Sequence, residues 1–264
     1  MQENSWQIYK FGGSSLNNSD CILNVCNLIK ENSSQNLIVV VSAMAGVTDQ
    51  LVDYSESRNQ SILDKIADRY RVTINETIQE ESIHEALLEE FSNDLKIINE
   101  LAESYSEKSI KTEENQILGF GEIWSSRLIQ GVLNEFKDQR DIHLLNPLKI
   151  ITLCKTEMGA NVDWGESKKL FSESLSDKTG VFIMAGFIAM SSDSIATNLG
   201  RNGSDYSASI MGSLAEAESV SIWTDTDGIM TADPNQIESA KTIEQMSYDE
   251  AIELAYFGAE VIHE

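Results

Sequence analysis

The sequence predicts an α/β fold: a three-layer α/β/α sandwich around a mainly parallel sheet, with a helical insertion at about residues 53–114. Three observations predict it. The first 45 residues read strand, helix, strand. Short apolar runs of strand character recur far downstream, at 142–145, 181–187 and 220–224. Helical patterns separate these runs, and strands alternating with helices favour a parallel sheet covered on both faces.

Residues 6–11 alternate in polarity and end in Gly12-Gly13, the pattern of a strand running into a tight loop. Asp20 is placed to cap a helix carrying Ile22, Leu23, Val25, Cys26, Leu28 and Ile29. Residues 37–41 are continuously apolar, as in a strand buried on both faces. The stretch 53–114 is polar and rich in acid. Within it Ile83, Leu87, Phe91, Leu95, Ile98, Leu101 and Tyr105 recur at spacings of three and four, one apolar face of a long helix. Its charged face reads as solvated surface, and the region as a helical excursion rather than a separate functional module. A second helix is predicted over 114–136, burying Ile117, Phe120, Trp124, Leu128 and Val132. A helix after Asp205 has a face of small residues, Ala208, Gly212 and Ala215, suited to close packing on a sheet. Ser247 and Glu250 fit a capping box opening a last helix with Ala251, Ile252, Leu254, Ala255 and Phe257, and Gly258 is placed to end it.

The chain has 264 residues, 41% of them hydrophobic, enough to bury a substantial core. Its longest apolar runs are too short to span a bilayer, and the N-terminus lacks the basic-then-apolar order of a secretory signal. Cys21, Cys26 and Cys154 are odd in number and scattered, fitting neither a metal pattern nor a disulfide framework; a reducing cytoplasm is the expected setting. The net charge of −24 argues against nucleic acid and against an anionic membrane as partners. It also means that an anionic substrate needs local cations. Lys10 and Arg201, each among glycines, are the candidates.

Lys10-Phe11-Gly12-Gly13-Ser14-Ser15 is the most informative segment. A lysine ending a buried strand is unfavourable unless it meets an anion, and two glycines after it let backbone N–H groups approach phosphate oxygens. A β-turn beside a surface lysine fits the same spacing. The order of residues is not that of a Walker A loop. In Leu199-Gly200-Arg201-Asn202-Gly203-Ser204-Asp205 a guanidinium sits on a glycine-flanked loop before a helix, where an anion is favoured and where Ser204 or Asp205 also fits a plain helix cap. Trp223-Thr224-Asp225-Thr226-Asp227-Gly228 follows an apolar strand, the end of an open α/β sheet at which ligands bind, although Asp-x-Asp-Gly is also a common turn. Gly121-Glu122 sets a carboxylate among apolar neighbours, either to pair with an ammonium group or as a surface Glu. His84, His143 and His263 are isolated, and no Ser-His-Asp or Cys-His constellation is visible.

Taken together and in this order, these motifs resemble the catalytic domain of the aspartokinases within the amino-acid kinase family. Val41-Ser42-Ala43, Ala232-Asp233-Pro234, Met246-Ser247-Tyr248 and Phe257-Gly258-Ala259 extend the resemblance over nearly the whole of 1–264. The Arg201 and Phe257 segments look most like the kinase half of the bifunctional aspartokinase–homoserine dehydrogenases, with no dehydrogenase or ACT domain in this sequence. The resemblance implies the amino-acid kinase fold and transfer of the γ-phosphoryl group of ATP, with Mg²⁺, to the side-chain carboxylate of L-aspartate, the first step toward lysine, threonine and methionine. It implies that Lys10 stabilises the transferring group with the Gly12 and Gly13 amides, that Asp205 orients Lys10, and that Ser42, Thr48, Glu122, Arg201 and Ser204 hold aspartate. It places Thr224, Asp225, Asp227 and Met230 at the nucleotide, with no protein metal site, and implies a homo-oligomer. The family's usual tyrosine, arginine and lysine at three nucleotide contacts are here Met230, Asn235 and Glu260. Those departures motivate an alternative, a non-catalytic or nucleotide-impaired binding protein of the same fold.

Overall fold

The computed structural model describes residues 5–32, 34–104, 110–157, 159–176, 178–225, 227–232, 236–237 and 239–256, the side chains of 110–113 and 255 excepted. Strand β1 (Gln7–Phe11) passes through a 3-10 turn at Ser14–Leu16 into helix α1 (Ser19–Glu31), and the chain returns as β2 (Asn36–Val41). The two strands are parallel, with Phe11 opposite Val41. All six residues of β2 are buried, as its unbroken apolar run requires. The cap of α1 is Asn18 rather than Asp20. The Asn18 side chain accepts from the Cys21 amide, which leaves Asp20 in the first turn, where its charge still suits the helix dipole.

Between β2 and β3 (Ile142–Leu145) the chain is helical: α2 (Val47–Ser57), α3 (Gln60–Thr77), α4 (Glu81–Glu103), α5 (Ile110–Leu118) and α6 (Phe120–Glu135). The stripe on α4 turns inward, with Phe91 and Ile98 buried and Ile83, Leu87, Leu95 and Leu101 packed on the same core; Tyr105 lies outside the described residues. Tyr70 of α3, Phe91 of α4 and Trp124 of α6 pack ring against ring, with centroids 4.7 to 5.6 Å apart. They share one apolar cluster with Val39 and Val41 of β2, so these helices are part of the main core. The helix expected over 114–136 is two, broken at Gly119. A Cβ there would lie 3.0 Å from the Ile188 side chain, and the residue that permits this approach is also a weak helix former.

A small antiparallel pair, β4 (Leu153–Thr156) and β5 (Gly159–Val162), precedes α7 (Trp164–Leu175). Strand β6 (Gly180–Ala185) stops short of the predicted 187 because Phe187 is left-handed, with φ 68°. The antiparallel pair β7 (Ile188–Met190) and β8 (Ala196–Asn198) follows, then α8 (Gly203–Leu214), β9 (Ser219–Trp223) and α9 (Tyr248–Tyr256). The capping box forms as expected. The Ser247 hydroxyl accepts from the Glu250 amide at 3.2 Å, and the Glu250 carboxylate accepts from the Ser247 amide at 2.7 Å. Phe257 and Gly258 lie outside the described residues.

Five strands form one parallel sheet in the order β3-β6-β2-β1-β9. Side chains alternate across it. Leu37, Val39 and Val41 join the cluster under α1 to α6, while Ile38 and Val40 join Ile210 and Met211 of α8 and Phe171 of α7 on the other face. This is a three-layer α/β/α sandwich. The small face of α8 meets the sheet at Gly212, where a Cβ would lie 2.5 Å from Val220. Among the described residues no helix is long and apolar enough to cross a membrane. Because the sheet is parallel, the carboxyl ends of β6, β2, β1 and β9 fall in register: Ala185, Val41, Phe11 and Trp223 lie side by side. The loops that follow them share one rim.

Candidate functional site

That rim holds a cavity of about 330 Å³. Eight predicted site residues line it: Lys10, Gly13, Ser42, Thr48, Glu122, Arg201, Ser204 and Asp205. They come from four separate stretches of chain, brought together by the strand ends and by the first turns of α2, α6 and α8.

Lys10 is the penultimate residue of β1 and is buried. Its Nζ lies 2.6 Å from Oδ1 of Asp205, in the first turn of α8. A buried ammonium group needs such a counterion, so sheet and helix are locked together at the cavity wall. The α8 cap position is Asn202, not Ser204 or Asp205. Asn202 has φ 54° and makes no side-chain capping bond, so the positive end of the helix opens on the cavity. Gly200, with φ 79°, gives a second left-handed position, and Arg201 stands between the two.

Glu122 lies in the first turn of α6 and is buried. Desolvation pushes its pKa up to about 8, against the lowering effect of hydrogen bonds from the backbone of Ala43 and of Glu122 itself. Among the described residues its Oε2 has no hydrogen-bond partner. Gly121 lets α6 come this close: a Cβ there would lie 2.6 Å from the Cβ of Ala43.

The glycine loop closes the opposite wall. Gly13 begins the 3-10 turn, and its carbonyl accepts from the amides of Leu16 at 3.2 Å and Ala45 at 3.1 Å. A Cβ on Gly13 would stand 2.9 Å from the Ala43 carbonyl oxygen. Gly12 lies just outside the cavity lining, and a Cβ there would reach within 3.4 Å of Lys10 Nζ, so glycine keeps that ammonium group open.

Thr224, Asp225, Asp227 and Met230 do not line this cavity; they follow β9 at the neighbouring strand end. The Thr224 hydroxyl donates to Asp225 at 3.0 Å, Gly228 is left-handed with φ 91°, and Met230 bridges to Thr242. Thr226, Asp233, Pro234, Asn235, Glu260 and His263 lie outside the described residues. Among those described, no group of three His, Cys, Asp or Glu residues gathers as a metal site. His84 bonds Asn75 and His143 stacks on Phe182, and neither lines the cavity.

Sequence reasoning missed Met44, Ala45, Gly46, Asp49 and Phe187 in the lining. The small-residue run Ala43-Met44-Ala45-Gly46 after a buried strand was the available signal for the first three, since ligands bind beyond strand ends. Phe187 reads as the last residue of an apolar strand, and nothing local marks its left-handed turn.

The amino acid kinase family model matches residues 5–264. Among curated relatives, the chain is 33% identical over 273 residues to the chloroplastic bifunctional aspartokinase/homoserine dehydrogenase 2 of Arabidopsis thaliana, covering 98% of this chain and 29% of that protein. It is 31% identical to the aspartokinase of Chlamydia trachomatis, covering 100% of this chain and 58% of the relative. The chain thus spans well under two thirds of the length of these relatives. Among solved structures, E. coli aspartokinase III in complex with aspartate and ADP superposes with a TM-score of 0.84 at 28% identity, over 97% of this chain and 57% of that one. The sheet, the lysine at the end of its first strand and the family match agree, and the chain belongs to the amino acid kinase family.

Proposed function

We propose that this chain is an aspartate kinase domain, transferring the γ-phosphoryl group of ATP to the side-chain carboxylate of L-aspartate. The observation that carries the reading is Glu122, a buried carboxylate whose Oε2 has no partner among the described residues, in one cavity with Arg201 and the Lys10–Asp205 pair. A free α-amino acid with a second carboxylate supplies what these groups lack. Its ammonium group meets Glu122, and a carboxylate meets the Arg201 fork, which binds such groups by paired hydrogen bonds. Ser42, Thr48 and Ser204 complete the hold. The relatives named aspartokinase, and the likeness to a structure with aspartate and ADP, support the same assignment.

The attacking carboxylate is ionised at neutral pH, so the step needs no general base. The work of the chain is to bring that oxygen in line with the γ-phosphorus and to neutralise the charge that develops. Lys10, oriented by Asp205, and the amides of Gly12 and Gly13 serve the phosphoryl group. The open N-terminus of α8 adds a fixed positive field. Thr224, Asp225, Asp227 and Met230, at the end of β9, serve the nucleotide. Mg²⁺ bound with the nucleotide supplies further charge neutralisation, and a cation that keeps several waters and rests on phosphates needs few protein ligands.

A coupled ADP-release assay with L-aspartate and Mg-ATP tests the reading. Turnover is expected, falling at least about a hundredfold in Lys10→Ala, the scale of losing one main electrostatic contact to a developing charge. A folded sample without turnover, or an unaffected variant, sinks it. A second reading, an aspartate-binding protein impaired toward nucleotide, is favoured by one observation: Met230 stands where the family has tyrosine, and its backbone is tied to Thr242. Calorimetry separates the two, since this second reading requires aspartate binding with no nucleotide binding.

A further inference from the structure

We propose that Arg69 and Tyr70, neighbours on α3, are positioning residues that hold the walls of the aspartate pocket in register. The proposal rests on the aspartate kinase reading and adds to it a helix that contributes nothing to the cavity lining itself.

Arg69 reaches across two loops. Its Nη1 donates to the Ala45 carbonyl at 2.8 Å, and its Nη2 donates to the Asn17 carbonyl at 2.9 Å and to Asn17 Oδ1 at 2.6 Å. Asn17 ends the 3-10 turn that begins at Gly13, and Ala45 belongs to the β2–α2 loop lining the cavity. The two loops already meet through the Ala45 amide and the Gly13 carbonyl. Arg69 fastens the same two loops a second time. In a chain with 43 acidic and 19 basic residues, its guanidinium is directed onto three neutral oxygens. That choice uses the planar fork as a spacer, a role a lysine ammonium does not fill.

Tyr70 fastens the other wall. Its ring is 1% exposed and packed against both Phe91 and Trp124. Its hydroxyl donates to the Gly121 carbonyl at 3.0 Å, lies 3.3 Å from the Ser125 hydroxyl and receives a hydrogen bond from the Met44 backbone. It therefore joins the β2–α2 loop to the residue before Glu122. A second link runs beside it, from the Ala43 backbone to the Glu122 carboxylate. Successive helix positions point about 100° apart, so one turn of α3 reaches both the glycine loop and the buried start of α6.

The test is steady-state kinetics on Tyr70→Phe, Arg69→Ala and Arg69→Lys beside the wild type. Tyr70→Phe should raise KM for aspartate about tenfold with kcat nearly unchanged, because it loosens the substrate wall alone. Arg69→Ala should lower kcat about tenfold, since the glycine loop and Lys10 lose their registration with the acceptor. Arg69→Lys should not recover it, whereas ethylguanidinium added to Arg69→Ala should do so in part. Kinetic constants within twofold of wild type in both Tyr70→Phe and Arg69→Ala overturn the proposal, whatever happens to Tm. Wild type without turnover refutes the kinase reading instead. Hydrogen exchange then decides the positioning role. Arg69→Ala must speed exchange in residues 13–17 and 42–47 while leaving α7 unchanged, and unaltered exchange there overturns it.

Discussion

At Glu122 the backbone amides of Ala43 and Glu122 hold the carboxyl group while Oε2 has no partner among the described residues, and burial raises its pKa to about 8. The folded state therefore binds a proton that the unfolded chain has released above its ordinary value of 4.5. The stability this contributes is complete below about pH 4.5 and is lost as pH rises toward 8. Glu122→Gln, neutral throughout, should gain on the wild type by up to about 1.4 kcal/mol for each pH unit across that window. Urea midpoints at several pH values check this, and parallel profiles for the two proteins would refute it. The same proton makes binding report on the site. L-aspartate binding at pH 7 should release close to one proton, visible as a calorimetric enthalpy that depends on the buffer, and Glu122→Gln should release none. The sequence marks Glu122 as a carboxylate among apolar neighbours. It does not show an unpartnered oxygen, because the surroundings of the carboxyl group depend on the Ala43 amide, contributed by a loop far earlier in the chain.

Among the elements, α6 carries Glu122 to the cavity only because Gly121 lets it touch the β2–α2 loop. Gly121→Ala would drive a Cβ to 2.6 Å from the Ala43 Cβ and 3.2 Å from Val47, both fixed by the loop that lines the site. The loss should be about 1–3 kcal/mol, the range for overpacking a tight contact, and KM for aspartate should rise with it. Gly131→Ala on the same helix is the control. Its Cβ meets the flexible end of Leu87 at 2.8 Å, and the better helix propensity of alanine offsets much of the crowding. Denaturant midpoints that rank the two variants the other way count against this account. Elements with strong periodicity, such as β2 and α4, are legible in the sequence because burial alone dictates their pattern. Boundaries set by distant contacts are not. The break at Gly119 exists to admit Ile188, and Asn18 rather than Asp20 caps α1 because its own backbone is extended there.

On the scale of the whole molecule, a net charge of −24 surrounds the cavity proposed to take anions. Salt should therefore help. Raising ionic strength from about 0.01 M to about 0.15 M shortens the screening length from about 30 to about 8 Å. KM for aspartate should fall as the repulsive field is screened, and a flat or rising KM would show that the local cations dominate at every distance. The parallel sheet itself is readable from alternating strand and helix patterns, but its order is not. No periodicity reveals that β1 lies between β2 and β9. That placement also governs when the site comes into being. At synthesis rates of about 5–20 residues per second, Lys10 waits about 10–40 s after leaving the ribosome for its counterion Asp205. Strand β1 waits as long for its second neighbour. Until then the strands already made present an open edge with an ammonium group beside it. The docking of α8 and β9 ends that exposure and brings Asp205 to Lys10 in the same event, so a nascent chain acquires the proposed phosphate site only once α8 and β9 are in place.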